Sequence, residues 1–317
     1  TSRTAADIMA DRSPKAKYWS TVDAKSGYWQ VPLHEDSRDL TVFLTPYGKY
    51  RYLRSPQGFI CSGDGYNIRG DEAIEGVENV AKIVDDILIE GETLEENLRG
   101  VINVMERCRK FKITLNRKKF HFGQTRVKFA GYIVSRTGTE ADPDKIKAIS
   151  EFPRPENITQ LRSFMGICNQ LGQFSSELSA AVVPLRELLK TKNTFLWTAD
   201  HDNAFEKVKQ VLSKSPILAV YDPKRPTRLE TDASRLFGLG FDLLQQHEDG
   251  SWRLIMCGSR FLRDVETRYA MLELECLAIE FAMKKCRLYL SGAPTFTVIT
   301  DHKPLIPIFN SYQLSQV

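Results

Sequence analysis

Apolar residues recur with a period of two in some stretches of the chain and with a helical period in others. The switches between the two mark its elements. Residues 18–33, YWSTVDAKSGYWQVPL, read as a strand, a turn and the start of another element. Residues 41–60 alternate aromatic and polar side chains around a Tyr-Gly turn, a hairpin signal. Residues 62–80 fit a helix weakened by Gly63, Gly65, Gly70 and Gly76. AKIVDDILIEG (81–91) predicts a β-hairpin with Asp85 and Asp86 at its tip. In 93–111, Leu94, Leu98, Val101, Ile102, Met105 and Cys108 follow helical spacing. Thr93 is the N-cap there, and Glu96 completes a capping box. A short hairpin follows from Val127, and a helix starts near Pro143.

The register changes at FPRPENITQLRSFMGICNQLGQF, where two prolines mark a boundary and helical spacing then runs to about residue 213. SPILAVYDPKRPT is an apolar segment ending in a Pro-rich turn, read as a linker. From Arg228 the order is β-β-β-α-β, with the long helix near 267–286. There is no internal repeat.

Composition narrows the class. At 317 residues the chain has room for two domains or more. With 42% hydrophobic and 26% charged residues it fits a folded globular protein. No run approaches the 18 apolar residues of a membrane span, and the N-terminal stretch lacks the apolar core of a signal peptide. Six scattered cysteines form no CxxC, which argues against zinc and against a disulfide framework. The net charge of +4 is too small to prove a polyanionic partner. Its distribution says more: residues 107–128 hold nine Lys or Arg and no acid, interleaved with Phe111, Phe120 and Phe122. That suits a nucleic-acid path, with cations on phosphates and rings against sugars or bases. A solvated face over a local core fits the stretch equally well.

Asp85 and Asp86 raise a chemical question, because adjacent carboxylates repel and burying them is costly. Taken alone, the pair reads as a tight turn. A magnesium site would neutralise it, since Mg²⁺ takes hard oxygen ligands and substrate phosphates. Asp23, at the tip of the 20–23 strand, is the further carboxylate such a site needs. If that strand lies beside the 82–89 hairpin, Asp23 and Asp85 meet at one sheet edge. There they suit two Mg²⁺ ions spaced for in-line phosphoryl transfer.

TVDAKSGYWQVPL, TVFLTPYGKYRYLRSPQGF, IVDDILI and KFAGYIVSRTG, in that order and spacing, resemble the reverse transcriptases of gypsy-class long-terminal-repeat retrotransposons. FPRPENITQLRSFMGICNQL looks like their thumb. LETDAS, LELECLAIEFA and ITDHKPL look like their ribonuclease H domain. The resemblance implies an α+β palm over 1–140, a helical thumb over 141–213 and a connection over 214–227. A partial α/β ribonuclease H-like domain over 228–317 would follow. It also implies an internal piece of a larger pol polyprotein, with the fingers largely missing and the last domain cut short.

Residue by residue, the resemblance makes Asp23, Asp85 and Asp86 the polymerase carboxylates, Asp23 and Asp85 being the main metal ligands. Tyr28 matches the aromatic under the incoming sugar, where its ring would exclude a 2′-hydroxyl. Gln57 and Gly58 match the loop beside the nucleotide. Phe129, Ala130, Gly131 and Tyr132 match the hairpin that grips the primer end. Asp232, Glu275 and Asp301 match the ribonuclease H ligands, with Glu275 preferred to nearby Glu273. Read singly, each has a plainer alternative: a core aromatic, a turn, a buried hairpin, a cap, a solvated helix residue. The implied function is RNA-directed DNA polymerisation with ribonuclease H cleavage of RNA–DNA hybrids. Two Mg²⁺ per site would serve it, with Mn²⁺ the alternative. The partners would be primed RNA or DNA template, RNA–DNA hybrid and deoxynucleoside triphosphates, with no membrane and with monomer and homodimer both open. Work in a cytoplasmic particle is implied, with the nucleus as alternative. The rival reading is a nucleic-acid-binding or structural subunit without turnover. A relic frame that does not fold stably is the third. The glycine-rich CSGDGYNIRGD is expected to break a helix that the family keeps regular.

Overall fold

The computed structural model describes residue 8 and residues 11–175, 177–190, 194–214 and 216–310. The chain divides into two compact units, Thr1–Arg136 and Thr137–Val317.

The first unit is built on an antiparallel sheet in the order β4-β5-β1-β6. Its strands are β1 (Tyr18–Asp23), β4 (Val80–Ile83), β5 (Asp86–Gly91) and β6 (His121–Gln124). A small hairpin, β2 (Phe43–Thr45) and β3 (Gly48–Tyr50), and the helix α1 (Ile60–Ile74) come between β1 and β4. Helix α2 (Leu94–Lys110) follows β5, and the hairpin β7 (Arg126–Phe129) and β8 (Tyr132–Ser135) closes the unit.

Alternation in β1 and β5 sends side chains to two cores. Trp19 and Leu88 pack with Val127, Phe129 and Val134 of the β7–β8 hairpin. Val22, Ile87 and Ile89 pack with Val101, Val104 and Cys108 of α2. Thr93 caps α2 as its sequence predicts, accepting the Glu96 N–H at 3.2 Å. The Glu96 side chain accepts the Glu92 N–H instead of the cap's own. The inward face of α2 is Asn97, Val101, Val104 and Cys108, while Leu94, Leu98, Ile102 and Met105 are exposed. A polar residue leads that inward face because it works there: Asn97 Nδ2 donates to the Ile89 carbonyl at 2.9 Å and the side chain meets the Ser20 hydroxyl. On the other face Glu90 is buried, accepting from Arg12 Nε at 3.1 Å and Trp19 Nε1 at 2.9 Å.

Helix α1 runs unbroken despite its glycines, which corrects the expectation of a broken element. Ser62, Tyr66, Gly70 and Ala73 form a buried row at spacings of four, four and three. Tertiary packing of that row overrides weak propensity.

The second unit begins with β9 (Gly138–Ala141), α3 (Pro143–Ser150), α4 (Ile158–Leu171) and α5 (Ala199–Ser213). Asp142 and Asn157 cap α3 and α4. Phe164, Phe205 and Trp197 form an aromatic cluster, with the first pair 4.6 Å apart. Within 216–226, Leu218 exchanges backbone hydrogen bonds with Thr139 and is buried with Ala219 and Tyr221, so the segment is packed into this unit. The sheet that follows has the order β12-β11-β10-β13. Its strands are β10 (Thr227–Ser234), β11 (Gly238–Gln246), β12 (Trp252–Arg260) and β13 (Thr297–Ile299), and β13 runs parallel to β10. Helix α6 (Met271–Lys285) lies on this sheet through Leu274, Ala278, Phe281 and Ala282, with the Phe281 ring edge-on to Phe241 at 5.6 Å. Among the described residues no helix is long and apolar enough to cross a membrane.

Candidate active sites

In the first unit the register brings carboxylates together. Asp23 and Asp86 are direct partners across the antiparallel ladder of β1 and β5. These are the two central strands, so the meeting point is a strand end inside the sheet and not a sheet edge. The hairpin tip is Val84–Asp85, and Asp86 opens β5 opposite Ile83. Val84 takes a φ of 49°, the positive first angle of a two-residue hairpin turn. A β-branched residue is strained there, which the surrounding packing must offset. The turn fixes Asp85 beside β1, where its carbonyl accepts the Ala24 N–H at 2.9 Å.

Like charges directly opposite on a ladder destabilise a sheet, and three features answer that cost here. Lys119 Nζ pairs with Asp23 Oδ2 at 2.8 Å, and Asn116 Nδ2 reaches Asp23 Oδ1 at 3.4 Å. The Ala130 N–H donates to the Asp86 carboxylate. That donor sits at the tip of the β7–β8 hairpin, where Ala130 and Gly131 both have positive φ, 50° and 79°. Tyr66 of α1 donates its hydroxyl to the Asp85 carboxylate. Burial, then the Asp23 charge, still raises Asp86 above the ordinary carboxylate range. Asp85 is raised by burial, and the Tyr66 hydrogen bond opposes that shift. Asp85 Oδ1 is buried without a hydrogen-bond partner.

The other residues singled out in this unit lie on three separate segments. Tyr28 is half-buried, its ring edge-on to Tyr66 with centroids 5.8 Å apart. Gly27 allows this crowding: a Cβ there would lie 2.4 Å from Asp85 Oδ1 and 2.7 Å from Tyr66 Cζ. Gln57 and Gly58 are exposed on a loop tied down by Ser55 and Ser62, whose hydroxyls are 2.7 Å apart. Phe129 and Tyr132 are buried and close the hairpin whose tip meets Asp86. Within the basic stretch, Phe120 and Phe122 pack against the α2-side core. Arg107 donates to the Ala73 carbonyl at 2.8 Å in the last turn of α1. Arg109, Lys110, Lys112, Arg117 and Lys118 are exposed.

In the second unit Asp232, Glu275 and Asp301 each offer an oxygen, and the three atoms lie within 4.8 Å of one another. Among the described residues this is the one such group of acidic, His or Cys side chains. Asp232 is near the end of β10, Asp301 follows the parallel neighbour β13, and Glu275 is on the sheet-facing side of α6. Glu273 is exposed, and its carboxylate accepts the Ala270 N–H at 2.7 Å as a helix cap. Burial, then Asp301 and Asp232, push Glu275 up to about 7, against a hydrogen bond from the Ala233 N–H. Glu275 Oε2 is buried with no partner. Two exposed carboxylates converging on an orphaned buried oxygen fit a divalent cation, which takes oxygen donors and neutralises them. A cleft of about 550 Å³ opens beside Asp232 and Asp301, lined also by Glu230, Ser234 and Phe237.

Sequence reading missed Tyr66, Asn116 and Lys119. Asn116 and Lys119 lay in the basic stretch, but nothing in its composition separates them from their neighbours. Tyr66 lies in the glycine-rich helix with no local signal at all.

Residues 2–134 match the reverse transcriptase (RNA-dependent DNA polymerase) family, and residues 197–298 match the RNase H-like domain found in reverse transcriptase. The chain is 32% identical over 307 residues to the retrovirus-related Pol polyprotein from transposon gypsy of Drosophila melanogaster, covering 92% of this chain and 29% of that protein. It is 30% identical over 293 residues to the transposon Tf2-3 polyprotein of Schizosaccharomyces pombe, covering 91% and 22%. The chain therefore spans less than a third of the length of these relatives. The foamy viral protease-reverse transcriptase, solved in complex with an RNA/DNA hybrid, shares the fold with a TM-score of 0.82 at 22% identity, over 100% of this chain and 43% of that one. The chain carries a reverse transcriptase domain followed by an RNase H-like domain, and over most of its length it is similar to the corresponding part of gypsy-type retrotransposon pol polyproteins.

Proposed function

We propose that the chain extends a primer 3′-hydroxyl with deoxynucleotides on an RNA or DNA template and cleaves the RNA of RNA–DNA hybrids. The observation that carries this reading is the presence of two separate carboxylate centres, one in each matched domain. Asp23, Asp85 and Asp86 would hold divalent cations in the first, and Asp232, Glu275 and Asp301 in the second, magnesium being the ion in each. Bound there, such ions neutralise the phosphoryl oxygens and make a hydroxyl or water more acidic.

The chain's own residues supply the positioning. Tyr28, held edge-on by Tyr66, presents a rigid ring where the incoming sugar lies and so selects against a 2′-hydroxyl. Gln57 and Gly58 flank the nucleotide from a loop anchored by Ser55 and Ser62. The 129–132 hairpin holds the primer end, and its Ala130 N–H fixes Asp86 at the same time. Exposed Arg109, Lys110, Arg117 and Lys118 take the backbone phosphates of the duplex. Most of the acceleration is then positioning and charge neutralisation.

Primer extension on an RNA template with Mg²⁺ and deoxynucleotides tests the reading, run beside an Asp85→Asn, Asp86→Asn double variant. Extension lost in the variant supports it. Salt-sensitive duplex binding with no extension by either protein would move the assignment to a binding subunit.

A further inference from the structure

Tyr66 belongs to neither candidate set, yet it touches both parts of the first centre. It lies on the buried face of α1 with Gly70 and Ala73. Its hydroxyl end adjoins the Asp85 carboxylate, since a Cβ on Gly27 would lie 2.7 Å from Tyr66 Cζ and 2.4 Å from Asp85 Oδ1, and its ring meets Tyr28. On the far side Lys82 Nζ stands 5.9 Å from the ring centre, held by Asp71 at 3.1 Å and Asn67 at 3.4 Å. Gly70 makes room for that lysine, since a Cβ there would lie 2.9 Å from its Cε. The Tyr66 ring is thus fixed from two sides and brings a single donor to Asp85.

The result at Asp85 is enclosure. Its Oδ1 is buried and partnerless, against the Gly27 backbone. Asp23, meanwhile, is paired to Lys119. Asp232, Glu275 and Asp301 bring three oxygens within 4.8 Å of one another, and Asp23, Asp85 and Asp86 do not. Asp85 faces α1 when it accepts from Tyr66, and it must face Asp23 to share an ion with it.

We infer that Tyr66 is a positioning residue of the polymerase centre: its hydroxyl holds Asp85 turned toward α1, and Asp85 must leave Tyr66 before it can share a divalent cation with Asp23. The inference rests on the polymerase reading above. A hydrogen bond to a charged acceptor is among the stronger ones, so it competes directly with the ion for the same carboxylate. Removing the hydroxyl alone should therefore tighten cation binding. A merely structural tyrosine would weaken it or leave it unchanged.

The test is direct Mn²⁺ binding by electron paramagnetic resonance on the full chain, without nucleic acid. Asp232→Asn and Glu275→Gln are present throughout to silence the second centre. Tyr66→Phe keeps the ring and its packing. It is expected to bind Mn²⁺ about tenfold more tightly at the site that Asp23→Asn abolishes. Tyr66→Leu, which also loses the contact with Tyr28, is expected to tighten binding as well. Unchanged or weaker Mn²⁺ binding in Tyr66→Phe, with its circular dichroism intact, overturns the inference and leaves the polymerase reading standing. No Asp23-dependent binding in any of the proteins overturns both.

Discussion

Asp23 and Asp86 confront each other across a ladder, and the chain surrounds them with fixed partners: Lys119, Asn116, the Ala130 N–H and, at Asp85, Tyr66. Asp232 and Asp301 instead stand exposed to water beside a single buried acid, Glu275. A carboxylate pair across a ladder, with Asp23 buried and Asp86 half-buried, has little solvent to dissipate its charge, so the protein supplies counter-charges and donors. A triad at the mouth of a cleft leaves most of that task to water and concentrates its cost on one residue. The first centre is braced by its neighbours, and the second brings its three oxygens together with two of its acids open to water. The two should therefore respond differently to the same kinds of change.

The largest effect comes from removing the carboxylates. Asp85→Asn with Asp86→Asn should lower primer extension by about 10³-fold or more while hybrid cleavage continues. Glu275→Gln should do the reverse. Parallel assays on an RNA-templated primer and a labelled hybrid measure both. If either variant lost both activities, the two centres would not be independent and the comparison would fail.

How much of this was legible in the sequence differs between the centres for the same physical reason. Asp232 and Asp301 lie at or just past strand ends, and Glu275 lies in the one long helix of a β-β-β-α-β run, so element order allows their convergence and the family resemblance assigns it. Choosing Glu275 over Glu273 needed the family resemblance; the structure adds that Glu273 is occupied as a cap. In the first centre, Asp23, Asp85 and Asp86 are visible as carboxylates at strand ends. Their partners are not, because Lys119 is one of nine basic residues in a row of 22 and reaches Asp23 across 96 positions of chain. The inward face of α2 is legible only in part for a related reason. Of the six residues at helical spacing, Val101 and Cys108 turn inward and Leu94, Leu98, Ile102 and Met105 do not, while the sheet takes a hydrogen-bonding Asn97 that hydrophobicity does not mark.

Away from the metal carboxylates the second unit holds a buried acid with full pairing, which gives the comparison a control. Glu266 is buried between Arg260 at 2.6 Å and Arg263 at 2.7 Å. The hydrogen bond from Arg260 leads the forces that hold it at about 2, against burial. Its folded value lies below the unfolded value, so its stabilisation is present above the ordinary carboxylate range and is lost as pH falls toward 2. Glu266→Gln should cost about 3 kcal/mol at neutral pH, by urea denaturation, and much less near pH 2. A constant loss across that range would separate the cost from the charge.

Glu275 should behave in the opposite sense. Its folded value near 7 is above the unfolded one, so the proton favours the folded state. Stability then falls as pH rises from the ordinary carboxylate range through 7. In EDTA, Glu275→Gln should gain on the order of 1 kcal/mol over the unsubstituted chain at pH 8, the gain vanishing below pH 5. Thermal melts at the two pH values decide it. A gain of equal size at both would mean that packing, and not charge, is responsible.

The smallest effect tests the scaffold of the first centre. Ala130 holds a left-handed conformation at φ 50° so that its N–H can meet Asp86, and a Cβ is costly there by roughly 1 kcal/mol. Glycine removes that cost and keeps the N–H, although it also gives the unfolded chain more freedom. Ala130→Gly should therefore stabilise the chain by a net of about 0.5 kcal/mol and leave the Asp86 donor in place. Ala130→Pro deletes the donor and cannot adopt a positive φ, so it should cost several-fold more than Ala130→Gly gains. If glycine destabilised the chain instead, the turn would be held by side-chain packing of Ala130 rather than by its backbone. The link between the 129–132 hairpin and the carboxylates would then be weaker than the hydrogen bond to Asp86 implies.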